Sequence, residues 1–216
     1  MRNASKNISA GLLALTLLLG GGTAEQLVES STTVADANRF EIEVAEDGTR
    51  FAFDESPVFD DGYPSYGNGF VTQGYIYPAG TLGTSNGVNP DGSPEFPDRV
   101  IGEWTCYGYF VGDGAHTEQG AWVVTTQVFE FDSEAVGGET LVTVGPETPA
   151  DAGPATRAVV GGTGRFGHVS GEVEQVTLGH NASEGVNATF TFALDGAGEK
   201  TVQAPEPPLL RSRRAI

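Results

Sequence analysis

The chain has 216 residues, and 29 Asp+Glu against 11 Lys+Arg give it a formal charge of −18. That balance excludes a polybasic nucleic-acid binder, which needs clustered Lys and Arg to neutralise phosphates. The single cysteine, Cys106, excludes an intrachain disulfide scaffold, and 31 glycines argue against a helical bundle, because each costs about 1 kcal/mol in a helix interior.

Residues 1–24 read as a signal peptide. Arg2 and Lys6 precede an apolar stretch at 8–19, short for a bilayer span, and Gly22-Thr23-Ala24 offers small residues for cleavage. The alternative reading is an uncleaved anchor. The segment has no twin arginine and no cysteine after its apolar run, so export by the general secretory route is expected. Arg2 and Lys6 are its only charges, so its removal takes the chain from −18 to −20. Beyond it, Lys200 is the one lysine against eight arginines. Acidic excess with little lysine suits solubility in concentrated salt, where screening removes most self-repulsion, so a halophilic, secreted protein is expected. Asn181-Ala182-Ser183 and Asn187-Ala188-Thr189 are glycosylation sequons.

Residues 25–38 are polar and read as a flexible leader. A β-barrel domain is expected over residues 39–203. Residues 41–44 alternate in the period of a strand, Asp47-Gly48 offers a turn, and 51–53 resume, which together predict a hairpin. Residues 56–68 and 83–98 are long Gly/Pro/Asp loops, flanking a strand at 70–77. Further strands are expected at 100–111, 120–131, 139–144, 156–160, 169–178 and 186–194. In the last of these, Phe190, Phe192 and Leu194 share one face. Residues 204–216 carry Pro205, Pro207 and Pro208, then Arg211, Arg213 and Arg214, and read as a disordered tail. Eight or nine strands joined by tight turns predict an all-β fold, an eight-stranded antiparallel up-and-down barrel with a central cavity; a β-sandwich is the alternative.

Gly162-Thr163-Gly164-Arg165-Phe166-Gly167 matches the dinucleotide fingerprint, yet His168-Val169-Ser170-Gly171 follows where a helix must start to receive the pyrophosphate. A Gly-rich corner between strands is therefore expected. Residues 158–173, Ala-Val-Val-Gly-Gly-Thr-Gly-Arg-Phe-Gly-His-Val-Ser-Gly-Glu-Val, resemble the Gly-rich hairpin of the allene oxide cyclase and dirigent protein superfamily, with Gly161, Gly162, Gly164 and Gly171 as its structural glycines. Gly102-Glu103, Gly112-Asp113-Gly114-Ala115-His116 and Gln119-Gly120 bring the chain closer to the cyclase branch. The resemblance spans about residues 69–195 and implies an eight-stranded barrel with an apolar cavity, commonly assembled as a trimer. Dirigent proteins carry an acidic residue directly after the glycine that matches Gly164 and an arginine before the later glycine. Arg165 and Ser170 occupy those positions here, so the resemblance does not carry dirigent-type coupling with it.

Two parities compete along residues 100–111, with Trp104, Cys106 and Phe110 on one and Glu103, Tyr107 and Tyr109 on the other. The ligand-binding candidates are Trp104, Tyr107, Tyr109, Tyr75 and Arg99. Glu103 is either a solvated strand carboxylate or, if buried, a general acid whose pKa burial raises. Arg99 and Arg157 would each clamp a substrate carboxylate or pair with a nearby acid. His116, His168 and His180 lack zinc-ligand spacing, and Asp60, Asp61, Asp91 and Asp113 form no EF-hand loop, so no metal is expected. The function expected is a secreted, cofactor-free barrel that binds a small apolar or amphipathic molecule. If it is catalytic, it steers a cyclisation or isomerisation by holding one conformer, since orientation alone supplies about 7–11 kcal/mol. A non-enzymatic carrier or cell-surface module is the alternative.

Overall fold

The computed structural model describes residues 38–132, 138–149 and 153–196; the segments expected to be a signal peptide (1–24), a leader (up to residue 37) and a tail (204–216) lie outside the described residues. Nine strands follow in chain order: β1 (Arg39–Glu46), β2 (Ala52–Phe53), β3 (Gly69–Pro78), β4 (Gly102–Phe110), β5 (Val123–Phe131), β6 (Glu139–Glu147), β7 (Ala155–Gly162), β8 (Ser170–His180) and β9 (Val186–Asp195). Every helical segment among the described residues is a 3-10 turn of three residues. All strand pairings are antiparallel. Sequential neighbours pair from β3 through to β9, β9 pairs with β1, and β1 pairs with β3, which closes an eight-stranded barrel. Only β2 lies outside it. Closure gives each barrel strand two partners and so excludes a sandwich.

Residues 41–44 and 51–53 do not form the expected hairpin. Both run along the same edge of β3, with Glu46 opposite Gly74 and Ala52 opposite Val71, so the chain advances through 47–51 instead of reversing. Asp47 is the cause. Its carboxylate accepts the Thr49 N–H (3.0 Å), the Thr49 hydroxyl (2.7 Å) and Arg50 Nε (2.9 Å), which holds a 3-10 turn at Gly48–Arg50. A side chain that captures the orphan donors of a helical turn favours that turn over a hairpin.

Strand alternation turns one face of every barrel strand inward, and the interior divides into two unlike halves. One end is filled by rings. Phe40 stacks on Phe192 (4.8 Å between centroids), and Phe129 meets Phe190 and Phe192 edge-on at 5.1 and 5.3 Å. Phe166, 0% exposed, lies 5.5 Å from Phe131 and stops the end of the barrel. Each such side chain contributes about 1.5–3 kcal/mol by burial. The Gly-rich corner places Phe166 there. A Cβ at Gly162 would overlap the Thr140 carbonyl, and Gly164 adopts φ +58° with Glu139 where its Cβ would stand. The tight 3-10 turn Gly164–Phe166 is thus open only to glycine at both positions, and it folds the ring inward. β8 follows directly, without the helix a dinucleotide site needs. Arg165 pairs with Glu139 (2.8 Å) and lies over the Phe166 ring at this closed end.

The two long loops contain a shared unit that sequence reading missed, Val-x-x-Asp-Gly-x-Pro at residues 58–64 and 88–94. In each, a bridge joins Val to Pro (Val58 to Pro64, Val88 to Pro94). In each, the Asp carboxylate accepts the N–H two residues on, at 3.1 Å (Asp61 from Tyr63, Asp91 from Ser93). The second unit covers the outer face of β1 and β3, where Tyr75 and Tyr77 donate to the Gly92 and Gly87 carbonyls (3.0 and 2.7 Å). Burial there pushes the Tyr77 phenol up to about 12. The first unit reaches the barrel's open end.

Candidate functional site

Opposite the Phe166 plug the barrel opens into a cavity of ≈ 480 Å³. That volume lies in the range of small-molecule sites. A continuous row of rings walls one side. Phe51 stacks on Phe70 (5.7 Å), Phe70 meets Phe110 (5.2 Å), and Phe110 meets Trp122 edge-on (5.8 Å, 88°). These rings come from the turn before β2, from β3, from β4 and from the approach to β5, while Glu46, His180 and Glu184 line the cavity from β1, β8 and the β8–β9 turn. The 57–64 hairpin supplies Tyr63 and Pro64 to the lining. It is tied down by an Ala115 N–H bond to the Pro64 carbonyl (2.9 Å), by His116 Nε2 against the Asp61 carboxylate (2.9 Å) and by the His116 ring stacked on Phe59 (4.2 Å).

Further into the barrel than the lining, the inward positions hold a polar layer of Thr72, Cys106, Thr125, Gln127, Thr143, Arg157 and Gln175. Glu147 is its hub. Its Oε1 accepts from Cys106 Sγ (3.6 Å), Thr125 Oγ1 (2.5 Å), Gln127 Nε2 (3.2 Å) and Arg157 Nη1 (3.2 Å), and its Oε2 accepts from Gln175 Nε2 (3.1 Å). The Arg157 side chain, 0% exposed, also donates to the Gly145 and Thr125 carbonyls (3.1 and 3.2 Å). Burial lowers its pKa, with Glu147 opposing the shift. The Cys106 thiol is pushed well above its ordinary value by burial and then by the Glu147 charge. A thiol held neutral in this way is no nucleophile.

Glu46 is the ionisable group common to the cavity and the polar layer. Its carboxylate accepts the Thr72 hydroxyl (2.6 Å) and the Val186 N–H (2.8 Å). Burial nevertheless pushes its pKa up; the two hydrogen bonds pull it back in part, while Glu147 adds to the rise. A carboxyl raised by burial at a cavity wall is suited to giving and taking a proton.

The structure settles the parity of β4 and separates the sequence candidates. Trp104, 6% exposed, points into the barrel interior, where its indole N–H has no partner. Tyr107 and Tyr109 stand on the outside, 48% and 63% exposed, along a shallow external groove of ≈ 410 Å³ that they share with Phe53 and Val71. Glu103 is also on the outer face, its side chain 52% exposed and 3.7 Å from Arg50. Burial, the condition for its acid role, is not met. Tyr75 lies under the 83–98 loop with Arg50 over its ring (5.0 Å), and Arg99 is exposed in a 3-10 turn. Of the five ligand-binding candidates only Trp104 shares the interior with the polar layer. Arg157, the other cation singled out, is buried against Glu147. The sequons are not surface sites. Asn181 and Asn187 are buried, and their amide nitrogens donate to the Glu46 carbonyl (2.7 Å) and the Asn86 carbonyl (2.8 Å). Among the described residues no three His, Cys, Asp or Glu side chains gather as metal ligands.

No protein-family model matches the chain, and no curated protein matches it. Solved structures do resemble it. Two pterocarpan synthase dirigent proteins each superpose with a TM-score of 0.53 at 14% identity; the first covers 79% of this chain and 91% of its own, the second 73% and 93%. The likeness is one of fold: these proteins share the antiparallel barrel architecture seen here.

Proposed function

We propose that this chain is a small-molecule-binding barrel that takes an apolar or amphipathic, ring-bearing ligand into the cavity at its open end, against the Glu46 carboxyl. One observation carries the reading: a cavity of ≈ 480 Å³, walled by the Phe51–Phe70–Phe110–Trp122 row, contains a carboxyl raised by burial. Rings supply contact area and a dry environment, and in a dry environment one ionisable group has more effect than in water. The fold likeness to proteins named as synthases supports the same assignment.

Catalysis on this site would be a cyclisation or isomerisation, the chemistry the cyclase-branch resemblance implies. The cavity holds one conformer of the substrate, and Glu46 donates or accepts the proton that the rearrangement moves. The second reading, a carrier, is favoured by the polar layer, because Glu147 and Arg157 are fully engaged with each other and with the barrel. The proposal includes export and self-association. Secretion of the mature chain and sedimentation in concentrated salt test those two points.

The site is tested with a neutral solvatochromic probe, 6-propionyl-2-dimethylaminonaphthalene. Binding with a blue-shifted emission is expected, weakened about tenfold or more by Trp122→Ala and by Phe110→Ala and unchanged by Tyr107→Ala. Equal affinity in all four proteins removes the ligand from this cavity. With a substrate in hand, Glu46→Gln separates the two roles: an enzyme loses turnover and keeps binding, whereas a carrier has no turnover to lose.

A further inference from the structure

The charges around the open end restrict what enters it. Among the described residues, the lining carries two carboxylates, Glu46 and Glu184, with His180, and neither lysine nor arginine. Arg157, the cation inside the barrel, is fully enclosed and committed to Glu147 and backbone carbonyls. Arg50 is committed on the outside, to Asp47 (2.9 Å), Glu103 and the Tyr75 ring. A ligand carboxylate would therefore meet two acids and no described cation, in a chain whose formal charge is already −18.

The arrangement around the rim is two-sided. Strand order places the rings on β3, β4 and the start of β5, whereas Glu46, His180 and Glu184 come from β1, β8 and the β8–β9 turn. Ring faces attract cations through their quadrupole, and carboxylates attract them directly. Glu184 itself is unusual. It is the one non-glycine residue with positive φ (+70°) among the described residues, at a position that glycine or asparagine would occupy with less strain. Gly185 beside it packs against the Glu46 backbone, and the Glu184 N–H bonds to the Asn181 carbonyl (3.1 Å). The turn thus holds a carboxylate at the rim at a conformational cost, a pattern that clusters at functional sites.

We propose that the open-end cavity selects organic cations, flat ring systems bearing a quaternary or protonated nitrogen, over neutral isosteres and rejects carboxylates. This rests on the ligand-binding reading above and assigns its substrate class. In the bound state the ring system lies along the Phe51–Phe70–Phe110–Trp122 row with its charged nitrogen toward Glu46 and Glu184. The rim carboxylate also raises the local concentration of cations.

The test is displacement of the bound neutral probe from the full chain by three compounds of one shape: N-methylquinolinium, 1-methylnaphthalene and 1-naphthoate. At low ionic strength the cation should displace at about tenfold lower concentration than its neutral isostere, and naphthoate should be weakest. Salt should erode the preference. Glu184→Asn, which removes the charge and suits the positive φ, should reduce it about threefold or more without lowering Tm. If methylnaphthalene displaces as well as the cation does, or naphthoate displaces best, cation selection is overturned while the cavity reading stands. If the neutral probe itself fails to bind, both are overturned. A preference unchanged in Glu184→Asn overturns the assignment of the rim.

Discussion

Removing both members of the buried pair at the base of the cavity should cost clearly less than the sum of removing each alone. Arg157 Nη1 lies 3.2 Å from Glu147 Oε1, with the guanidinium fully enclosed and the carboxylate side chain 14% exposed. At an effective dielectric of about 20 their attraction is about 5 kcal/mol, set against a desolvation penalty of several kcal/mol for each ion. The net worth of the pair is therefore small, whereas either ion left alone keeps its penalty. Glu147→Gln should destabilise by about 3–5 kcal/mol, because the guanidinium then faces only carbonyls and hydroxyls. Arg157→Met should fall near 3 kcal/mol, since Thr125, Gln127 and Gln175 continue to donate to the carboxylate. The double variant should cost about 2–5 kcal/mol, less than the sum of the singles, for a coupling of about 3 kcal/mol. Urea unfolding followed by tryptophan fluorescence measures all four proteins. For a domain of this size the single losses correspond to Tm decreases of roughly 6–20 °C. Single losses under about 1 kcal/mol, or strict additivity, would refute the reasoning.

Cys106 should resist thiol reagents in the native protein and react at once in urea; fast labelling at pH 8 would contradict the burial that raises its pKa. Glu46 sets a pH dependence. Its folded pKa lies above its unfolded value of 4.5, so the folded state holds the proton more tightly, and the resulting stability is complete below 4.5 and lost as pH rises through the folded value. The Tm difference between wild type and Glu46→Gln should therefore move against the wild type over that window; a flat difference rejects the assignment. Phe166→Ala should cost about 3–5 kcal/mol and leave probe affinity intact, whereas Trp122→Ala should act in the opposite way. Loss of probe binding in Phe166→Ala protein that is still folded would show that the two ends are not independent.

The barrel was readable because inward and outward residues alternate cleanly in most strands and glycines mark the turns. Strands at 69–78, 102–110 and 186–195 fall within about two residues of their expected bounds. The hairpin at 41–53 failed because Asp47-Gly48 serves two motifs equally well. Only the tertiary pairing of both flanks to β3 decides for the 3-10 turn. The parity of β4 was unreadable for a similar reason. Trp104 and Phe110 on one face and Tyr107 and Tyr109 on the other are equally apolar, and the outer pair stays exposed. The polar layer left no motif, since Glu46, Cys106, Gln127, Glu147, Arg157 and Gln175 come from six strands and meet only when the barrel closes. Arg157 gave the one available hint, as a scarce cation in an acidic chain. Glu46, beside a turn signal, carried no sequence signal of its own.

Among the described residues, a tube stopped at its base by Phe166 has a single doorway. Whatever enters past Phe51 and Trp122 must leave by the same route, so an incoming guest waits for the outgoing one. An enzyme of this shape is held back by its own product in strict competition with substrate, and the lifetime of that last occupant sets its ceiling.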